Sequence, residues 1–232
     1  MYTDSSEFYD LIYSFKDYQK ESFEIIEIIK AKRPECKNIL DIGCGTAEHH
    51  KYLKDIYRVD GVDLNQKFIE IAKAKNEAGK YVVADMRNFI LDQKYDVILC
   101  LFSSIGYLKS LSDIVKTLSR FAEHLNPNGL AIVEPWFTVN NYYPGRIGML
   151  SYDKPEVKIC RMTQSNLENE LSILDIQYLI ATPQQGIHHF KEKHELRLTS
   201  NEEMLTAFKQ TGFNVTFDEA GLTGRGIYYA SK

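Results

Sequence analysis

The chain has 232 residues, of which 44% are hydrophobic and 26% charged, as expected for one large domain or one domain with an insertion. Its formal net charge of -4 argues against nucleic acid as the main partner, and no apolar run is long enough to cross a bilayer. The first residues, MYTDSSEFYD, lack the basic region and apolar core of a signal peptide, so we expect a cytoplasmic protein.

Cysteine and histidine spacing favours neither disulfides nor a metal site. The 4 cysteines have no metal-site spacing, and the 6 histidines form no HExxH or comparable pattern. We therefore expect no bound metal and free thiols in a reducing compartment. The cysteines are Cys36, Cys44, Cys100 and Cys160.

Residues 2–35 are rich in aromatic side chains and are predicted to be mainly helical. Isoleucines recur on one side of residues 17–32, which predicts an amphipathic helix, and Pro34 ends it. We expect Phe8 and Phe15 to pack on the sheet, whereas the tyrosines carry a polar tip and can line a lid.

The stretch NILDIGCGTAEHH, residues 38–50, predicts a ligand-binding turn. Residues 39–42 are predicted as a buried strand, residues 43–47 as a tight glycine loop and residues 48–55 as a helix. Such a loop brings backbone N–H groups and a helix N-terminus against a ligand, and a Cβ would block the turn or the approach.

Acids near this loop indicate which nucleotide it binds. A second predicted strand, residues 59–63, ends in Asp63, where a doubly wound sheet can hold both hydroxyls of a ribose. Glu48 stands where a dinucleotide fingerprint has its third glycine, so its carboxylate would face the pyrophosphate of a dinucleotide. Asp41, just before the loop, adds a negative charge that suits a cationic ligand rather than a phosphate. The pattern D-x-G-x-G-x-(G/A) resembles the first motif of S-adenosylmethionine (SAM) methyltransferases, whose cofactor has a sulfonium and no phosphate. A nicotinamide dehydrogenase is disfavoured by Glu48 and by the single glycine loop, and an ordinary glycine-rich turn is the remaining alternative.

Strands and helices alternate along the next hundred residues, which indicates an α/β fold with a mostly parallel sheet. Asn65 is a plausible N-cap for the first of these helices. The predicted elements are a helix over residues 64–78, strands over 81–84 and 95–100, a helix over 111–125, a turn at 127–129 and a strand over 130–133.

Polar residues collect where these strands end, at the edge that binds ligands in such sheets. Asp85 and Met86 together could place a carboxylate near an adenine amino group and a thioether against its ring. A turn cap is the alternative role for Asp85. The polar residues at this edge are Asp41, Asp63, Asp85, Ser103, Ser104 and Glu134.

The chain changes character after Trp136. Residues 136–149 look like a loop over the site, and three long strands follow. They are predicted over residues 156–164, 167–180 and 186–198. This antiparallel accessory sheet could cover the pocket, join two subunits or do both, and its length favours a homodimer.

The last part of the chain returns to the main sheet. Thr199 or Ser200 caps a helix, with Glu203 completing a capping box if Ser200 is the cap. An antiparallel pair of strands then follows, over residues 213–217 and 226–230. We therefore divide the chain into a SAM-binding α/β core with an N-terminal helical lid, an inserted sheet, and a helix and strands that complete the core. These parts are residues 1–135, 136–200 and 201–232.

The whole chain resembles the SAM-dependent sugar-nucleotide N,N-dimethyltransferases, which finish dimethylated amino sugars such as desosamine and mycaminose. The resemblance rests on YDLIY, KDY, LDIGCGT, ADMRNF, FSSIGYL, FAEHLNPNG, VEPWF, GIHHF and GRG. It implies a Rossmann-like class I methyltransferase fold, SAM as cofactor and a nucleotide-linked amino sugar, with dTDP as the expected nucleotide, as substrate.

The resemblance also implies roles for matching residues. Tyr9 and Tyr18 would contact the methionyl part of SAM, Asp63 its ribose, and Asp85 and Met86 its adenine. The other residues expected along the cofactor are Asp41, Gly43, Cys44, Gly45, Leu64 and Leu101. The residues expected to face the sugar nucleotide are Tyr2, Ser104, Tyr107, Trp136 and Arg225.

Arg225 is the natural partner of a diphosphate, because a guanidinium group offers paired donors to phosphate oxygens. A surface salt bridge is the alternative role for this arginine. The chain departs from the family at Ala47, where relatives often have glycine, and at Asp63, where they have glutamate. The segment between Tyr9 and Tyr18 is shorter than in relatives.

Tyr107 stands where some relatives carry histidine, which leaves the catalytic base in question. Methyl transfer to an amine is an in-line displacement, and alignment of donor and acceptor can supply roughly 7–11 kcal/mol of the barrier. A tyrosine, with a reference pKa near 10, is a poor base at neutral pH. The sequence therefore favours Tyr107 as an orienting hydrogen-bond partner, with solvent taking the proton.

Two other functions stay open at the level of sequence. The same scaffold could methylate another small amine or a hydroxyl, and an Arg225 that faces away from the pocket would favour this. The chain could also sense SAM without transferring its methyl group, and a pocket with no room beside the sulfonium would favour that.

Overall fold

The computed structural model describes residues 2 and 4–232, which form two β-sheets with helices packed on the larger one. The strands are β1 Asn38–Ile42, β2 Arg58–Asp63, β3 Tyr81–Val83, β4 Tyr95–Cys100, β5 Leu125–Val133, β6 Ile147–Lys154, β7 Val157–Glu168, β8 Leu171–Thr182, β9 Gly186–Arg197, β10 Asn214–Asp218 and β11 Ile227–Ser231. The α-helices are α1 Tyr9–Ile12, α2 Tyr18–Lys32, α3 His50–Leu53, α4 Gln66–Lys75, α5 Leu111–His124 and α6 Asn201–Gln210. Short 3-10 turns cover Ser6–Phe8 and Ser104–Tyr107.

The larger sheet has seven strands in the order β10-β11-β5-β4-β1-β2-β3. Strands β3, β2, β1, β4 and β5 pair in parallel, and β11 and β10 add an antiparallel end. This confirms the predicted mixed α/β sheet. The chain leaves β1 toward β2 and returns to β4 on the other side, so a crevice opens at the carboxyl ends of β1 and β4.

The core lies on both faces of this sheet, because its central strands are buried on both sides. On one face Ile39 and Val97 belong to a cluster with Ile25 of α2. On the other, Leu40 belongs to a cluster with Phe121 of α5. Helices on both faces hold the strand ends that form the crevice.

Predicted helix caps are confirmed by side-chain hydrogen bonds. The Asn65 side chain accepts from the backbone N–H of Lys67 at 2.9 Å, at the start of α4. Ser200 and Glu203 form the capping box of α6, which selects Ser200 over Thr199 as the cap.

The accessory sheet has four strands in the order β6-β7-β8-β9, not three. The prediction that residues 136–149 are all loop was wrong at its end, because β6 begins at Ile147. β6 is an edge strand whose side chains are mostly exposed, so it lacks the alternation that marks a half-buried strand.

Two smaller predictions also needed correction. The helix predicted over residues 48–55 is confined to α3. The turn predicted at residues 127–129 is a bulge inside β5, where Leu125 pairs with Tyr95 and Leu130 with Val97. Among the described residues, no helix is long and apolar enough to cross a membrane.

Candidate active site

Two adjoining cavities open at the carboxyl ends of β1, β2, β3 and β4. The main cavity has a volume of about 590 Å³. The small cavity, beside the glycine loop, has a volume of about 50 Å³. They share the wall residues Tyr9, Gly43, Gly45, Phe102 and Ser104. The arrangement suits an extended ligand that passes the glycine loop.

The glycine loop folds tightly because the backbone N–H groups of Gly43 and Cys44 both donate to the carbonyl of Val62, at 2.7 and 3.1 Å. Gly43 has a φ of +72°, and a Cβ there would lie 2.7 Å from the Ser104 Cβ. Both the left-handed conformation and the close approach to Ser104 therefore require glycine.

Asp41 supplies a buried, half-satisfied carboxylate in the wall of the small cavity. Its Oδ2 lies 3.0 Å from Nε2 of His50, whereas its Oδ1 has no hydrogen-bond partner. His50 in turn contacts the Tyr81 hydroxyl through Nδ1 at 2.7 Å. The free oxygen can receive a cationic or hydrogen-bonding ligand group.

The predicted residues in the small cavity are Tyr9, Tyr18, Asp41, Gly43, Cys44, Gly45, Leu101 and Ser104. It is also lined by Thr46, Glu48, His49 and Phe102. Glu48, the residue that argued against a dinucleotide, forms ion pairs with Lys51 and Lys75 here. Because two lysines already pair with Glu48, Asp41 is the carboxylate of this wall that can receive an ammonium group of a ligand.

Asp63 lies at the end of β2 and faces the main cavity. Its Oδ2 accepts from the backbone N–H of Gly45 at 2.9 Å and its Oδ1 from that of Asn65 at 2.8 Å. These bonds fix the carboxylate and leave lone pairs for ligand hydroxyls. Burial raises the pKa of Asp63 above its ordinary value.

Asp85 is both a turn cap and a cavity residue. Its Oδ1 accepts from the backbone N–H of Arg87 at 2.9 Å, and its Oδ2 accepts from the Arg87 guanidinium at 2.6 Å. The hydrogen bonds from Arg87 hold the pKa of this carboxyl below its ordinary value. Asp85 and Met86 both line the main cavity, and the contact of Asp85 with adenine stays a prediction.

Arg225 faces the main cavity, so it is not merely a surface ion pair. Its Nη2 donates to Oε1 of the buried Glu134 at 3.1 Å, and its Nε has no partner. The guanidinium carbon lies 5.7 Å from the Trp136 ring and 5.8 Å from the Phe102 ring. Trp136 is fixed by its indole N–H, which donates to Ser172 Oγ at 2.7 Å.

Tyr107 contacts a residue that was not predicted from the sequence to belong to the site. Its hydroxyl lies 2.7 Å from Nδ1 of His194, which is buried in β9. Tyr2 packs edge-on against the same imidazole, with ring centroids 4.5 Å apart. The Tyr2 hydroxyl also lies 2.7 Å from the Tyr13 hydroxyl. A cluster of tyrosines and one histidine therefore forms one part of the cavity wall.

The accessory sheet forms a wall of the main cavity, so the expectation that it could cover the pocket holds. Its contributions are Arg161 and Thr163 of β7, Leu174 and Ile176 of β8, and His194 and Leu196 of β9. Within each strand these residues are two apart and face the same side. The alternation could have identified them, had the sequence told which face of each strand points inward.

The main cavity gathers most of the predicted site residues. They are Tyr2, Tyr9, Gly43, Gly45, Asp63, Leu64, Asp85, Met86, Ser104, Tyr107, Trp136 and Arg225. Tyr18, Asp41, Cys44 and Leu101 line only the small cavity. Their individual roles remain predictions. No group of three or more potential metal ligands occurs among residues 2 and 4–232.

Comparison with known proteins agrees with this geometry. A family model described as "Methyltransferase domain" matches residues 39–129. The chain is 32% identical to the dTDP-3-amino-3,6-dideoxy-alpha-D-glucopyranose N,N-dimethyltransferase of Streptomyces fradiae, over 96% of this chain and 89% of that protein. It is 29% identical to the dTDP-3-amino-3,4,6-trideoxy-alpha-D-glucopyranose N,N-dimethyltransferase of Streptomyces venezuelae, over 97% of this chain and 96% of that protein.

The solved structure of Streptomyces venezuelae DesVI superimposes with a TM-score of 0.92 at 28% identity, and 99% of each chain is covered. The likeness spans the accessory sheet as well as the SAM-binding core. The chain belongs to the family of SAM-dependent N,N-dimethyltransferases of nucleotide-linked amino sugars.

Proposed function

We propose that the enzyme methylates the 3-amino group of a dTDP-linked deoxy sugar in the main cavity. One observation carries this proposal: two adjoining cavities are lined by carboxylates at the ends of β1, β2 and β3 and by an arginine among aromatic rings. The acids suit a cofactor that is cationic and lacks phosphate, and the arginine suits a diphosphate. The two relatives with 3-amino sugars in their names support the position of the amine.

The cofactor would span both cavities. Asp41 would receive the ammonium of the methionyl tail on its free Oδ1, between Tyr9 and Tyr18. The ribose would lie on Asp63 and the adenine between Asp85 and the Met86 thioether. The remaining contacts along the cofactor are assigned to Gly43, Cys44, Gly45, Leu64 and Leu101. When bound, SAM supplies an electrophilic methyl group on its sulfonium.

The sugar nucleotide would occupy the side of the main cavity near Trp136. Arg225, oriented by Glu134, would bind the diphosphate, and the sugar amine would lie beside Tyr107. Tyr2 and Ser104 would line the space between them. Arg161 also lines this cavity, with a buried Nε that has no partner in the described structure.

We further propose that two copies associate through the outer face of the accessory sheet. Apolar side chains occur there with fractional exposures of 74% for Ile147, 71% for Met149, 40% for Met162 and 48% for Leu179. Met149 pairs with Met162, so these side chains are neighbours on one face. An exposed apolar patch on a sheet supports a protein interface, here with a second copy.

We also propose a cellular compartment and a division of the chain by function. The four cysteines are free thiols, which supports a reducing cytoplasm. Division of the chain at residues 135 and 200 assigns the accessory sheet to the substrate and the subunit interface, and the remainder to the cofactor.

Ligand binding and turnover test the function. Demethylated SAM at about 100 times its dissociation constant should stabilise the fold by roughly 2.7 kcal/mol, measured by thermal denaturation. Addition of dTDP should raise the stability further. The dTDP-3-amino sugar should then gain two methyl groups by mass spectrometry, and a dTDP-4-amino sugar should react more slowly.

Arg225→Gln should raise KM for the dTDP sugar at least tenfold, because one charge-assisted phosphate contact contributes about 1.5–3 kcal/mol. Arg120→Gln is the matched control, since Arg120 pairs with Glu123 on α5 outside both cavities. Stabilisation by the cofactor product without any response to dTDP or its sugars would leave a methyltransferase and remove the proposed substrate.

A further inference from the structure

We propose that His194 takes up the proton of the substrate amine through the Tyr107 hydroxyl. Tyr107 is the residue that meets the amine, and His194 acts through it. This inference rests on the proposed position of the amine beside Tyr107. It replaces solvent, favoured by the sequence, with a proton acceptor inside the protein.

The geometry is a series of close polar contacts that leads away from the cavity, in which His194 Nε2 has no hydrogen-bond partner but lies near a carboxylate. The Tyr107 oxygen lies 2.7 Å from His194 Nδ1, and His194 Nε2 lies 3.5 Å from Oε2 of Glu192. Glu192 in turn accepts from the backbone N–H and the hydroxyl of Ser5, at 3.1 and 2.8 Å. His194 and Glu192 are 2% and 6% exposed, so solvent screens these contacts little.

The position of Glu192 determines which atom donates in the hydrogen bond between Tyr107 and His194. The Glu192 carboxylate favours a proton on the near nitrogen of His194, Nε2, and this leaves Nδ1 as an acceptor. The Tyr107 hydroxyl therefore donates to Nδ1. Its oxygen keeps lone pairs that can accept from an ammonium group in the cavity.

The groups around His194 set its protonation. From the described elements packed against it, the titratable or charged groups are Tyr107, Tyr2, Glu192 and Arg161. Burial lowers the pKa of His194 below its ordinary value, while Glu192 acts in the opposite direction. The imidazole is therefore neutral near pH 7 and able to accept a proton. Burial also raises the pKa of Tyr107 far above its ordinary range, so Tyr107 transfers a proton without existing as a phenolate.

Protons and electrons balance within one methyl transfer, and His194 releases its proton to solvent through Tyr107 before the next transfer. The ammonium gives one proton to the Tyr107 oxygen while the Tyr107 hydroxyl proton moves to His194 Nδ1, so Tyr107 remains neutral and His194 becomes a cation. The freed nitrogen lone pair forms the N–CH3 bond as the S–CH3 bond breaks, with its electron pair left on sulfur. The sulfonium disfavours an ammonium beside it, and Glu192 stabilises the imidazolium against the opposing charge of Arg161.

The proposed proton transfer from the amine through Tyr107 to His194, which we call the relay, predicts a pH-dependent loss of kcat in His194→Gln. Glutamine can accept the Tyr107 hydrogen bond but cannot take the proton. At pH 7 kcat with SAM and a dTDP-3-amino sugar should fall about a hundredfold, the lower range of general-base effects. The deficit should shrink toward pH 9–10, where the amine loses its proton to solvent. His188→Gln, an exposed histidine on the same strand, should leave the profile unchanged.

The double variant Tyr107→Phe with His194→Gln separates a relay from independent contacts. Two members of one relay should not add, so the double variant should be about as slow as the slower single one. The proposal would be overturned if the losses of kcat in the two single variants multiplied in the double variant. A loss of kcat in His194→Gln that is equal at every pH would also overturn it. An inactive wild-type enzyme would instead count against the proposed substrate.

Nitrogen NMR of the free enzyme gives a test that does not depend on turnover. With ¹⁵N-labelled histidine, the resonances lost in His194→Gln should report a neutral ring near pH 7 that is protonated on Nε2. If the variant does not fold, the resonance that responds to Tyr107→Phe identifies His194 instead. A ring protonated on Nδ1, or a charged ring at pH 7, would contradict the relay.

Discussion

Asp41 combines a structural cost with the binding role proposed for it. It is 3% exposed, contacts His50 through one oxygen and leaves the other without a partner. A buried carboxylate with an unsatisfied oxygen destabilises the free protein, and a bound cation would offset that cost. Behind it His50 contacts the Tyr81 hydroxyl, to which Asn76 donates at 3.0 Å, so the oxygen bonded to His50 is held in place.

Asp41→Asn should separate affinity from stability. The amide oxygen can replace Oδ2 on His50, and the NH2 group would then face the ligand's ammonium. The dissociation constant for demethylated SAM should rise at least tenfold in titration calorimetry, about 1.4 kcal/mol or more, while the unfolding temperature stays equal or rises. Asp153→Asn, at an exposed site in β6, is the control. Unchanged affinity would remove Asp41 from the cofactor site.

The residues that sequence reasoning located, and those it missed, differ in how strands fix them. Asp41, Asp63 and Asp85 follow apolar runs, and the end of a parallel strand determines which edge of the sheet they join. His194 and Arg161 lie inside antiparallel strands, where a shift of one residue moves a side chain to the other face. Both faces of those strands carry apolar residues, so the pattern did not identify the inward one.

At the scale of elements, local signals worked best where a side chain bonds its own backbone. The caps at Asn65 and Ser200 are of this kind, because their partners are two or three residues away. β6 was not predicted because its stability comes from pairing with β7. That pairing joins two separate segments, and the exposed side chains of β6 show no pattern that would indicate it. The bulge in β5 likewise depends on pairing with β4.

Ser200→Ala should cost about 1 kcal/mol of unfolding free energy, because it removes the N-cap bond and one side of the capping box. Urea denaturation at neutral pH measures this loss. Thr199→Ala is the matched control, since the adjacent hydroxyl does not cap α6, and it should change stability by only a few tenths of a kcal/mol. Equal effects of the two substitutions would mean that the cap contributes nothing specific.

The whole molecule divides its tasks between two sheets. The seven-stranded sheet holds the acids at its carboxyl edge, and the accessory sheet closes the cavity with β7, β8 and β9. The sequence predicted both sheets because strand–helix alternation and a run of long strands are features of composition and spacing. It could not predict how the sheets meet, since that depends on contacts such as Tyr107 with His194, 87 residues apart.

Met149→Glu tests the proposed subunit interface. In a two-fold interface each substitution acts twice, and a buried charge on both sides should convert a dimer into monomers in sedimentation experiments. Ile90→Glu introduces the same charge at a residue that is 78% exposed and outside the accessory sheet, so it should not alter the mass. A wild-type monomer at micromolar concentration, or a Met149→Glu dimer, would refute the interface.

Strand β7 places Arg161 and Thr163 in the cavity wall and Met162, between them, on the opposite face. Adjacent residues of one strand thus belong to the proposed substrate site and to the proposed subunit contact. Any effect of occupancy of one surface on the free energy of binding at the other would be equal in both directions, since linkage is reciprocal. For a homodimer in which the associated form binds substrate more tightly, the apparent substrate affinity would depend on enzyme concentration, and dilution alone would act as an inhibitor.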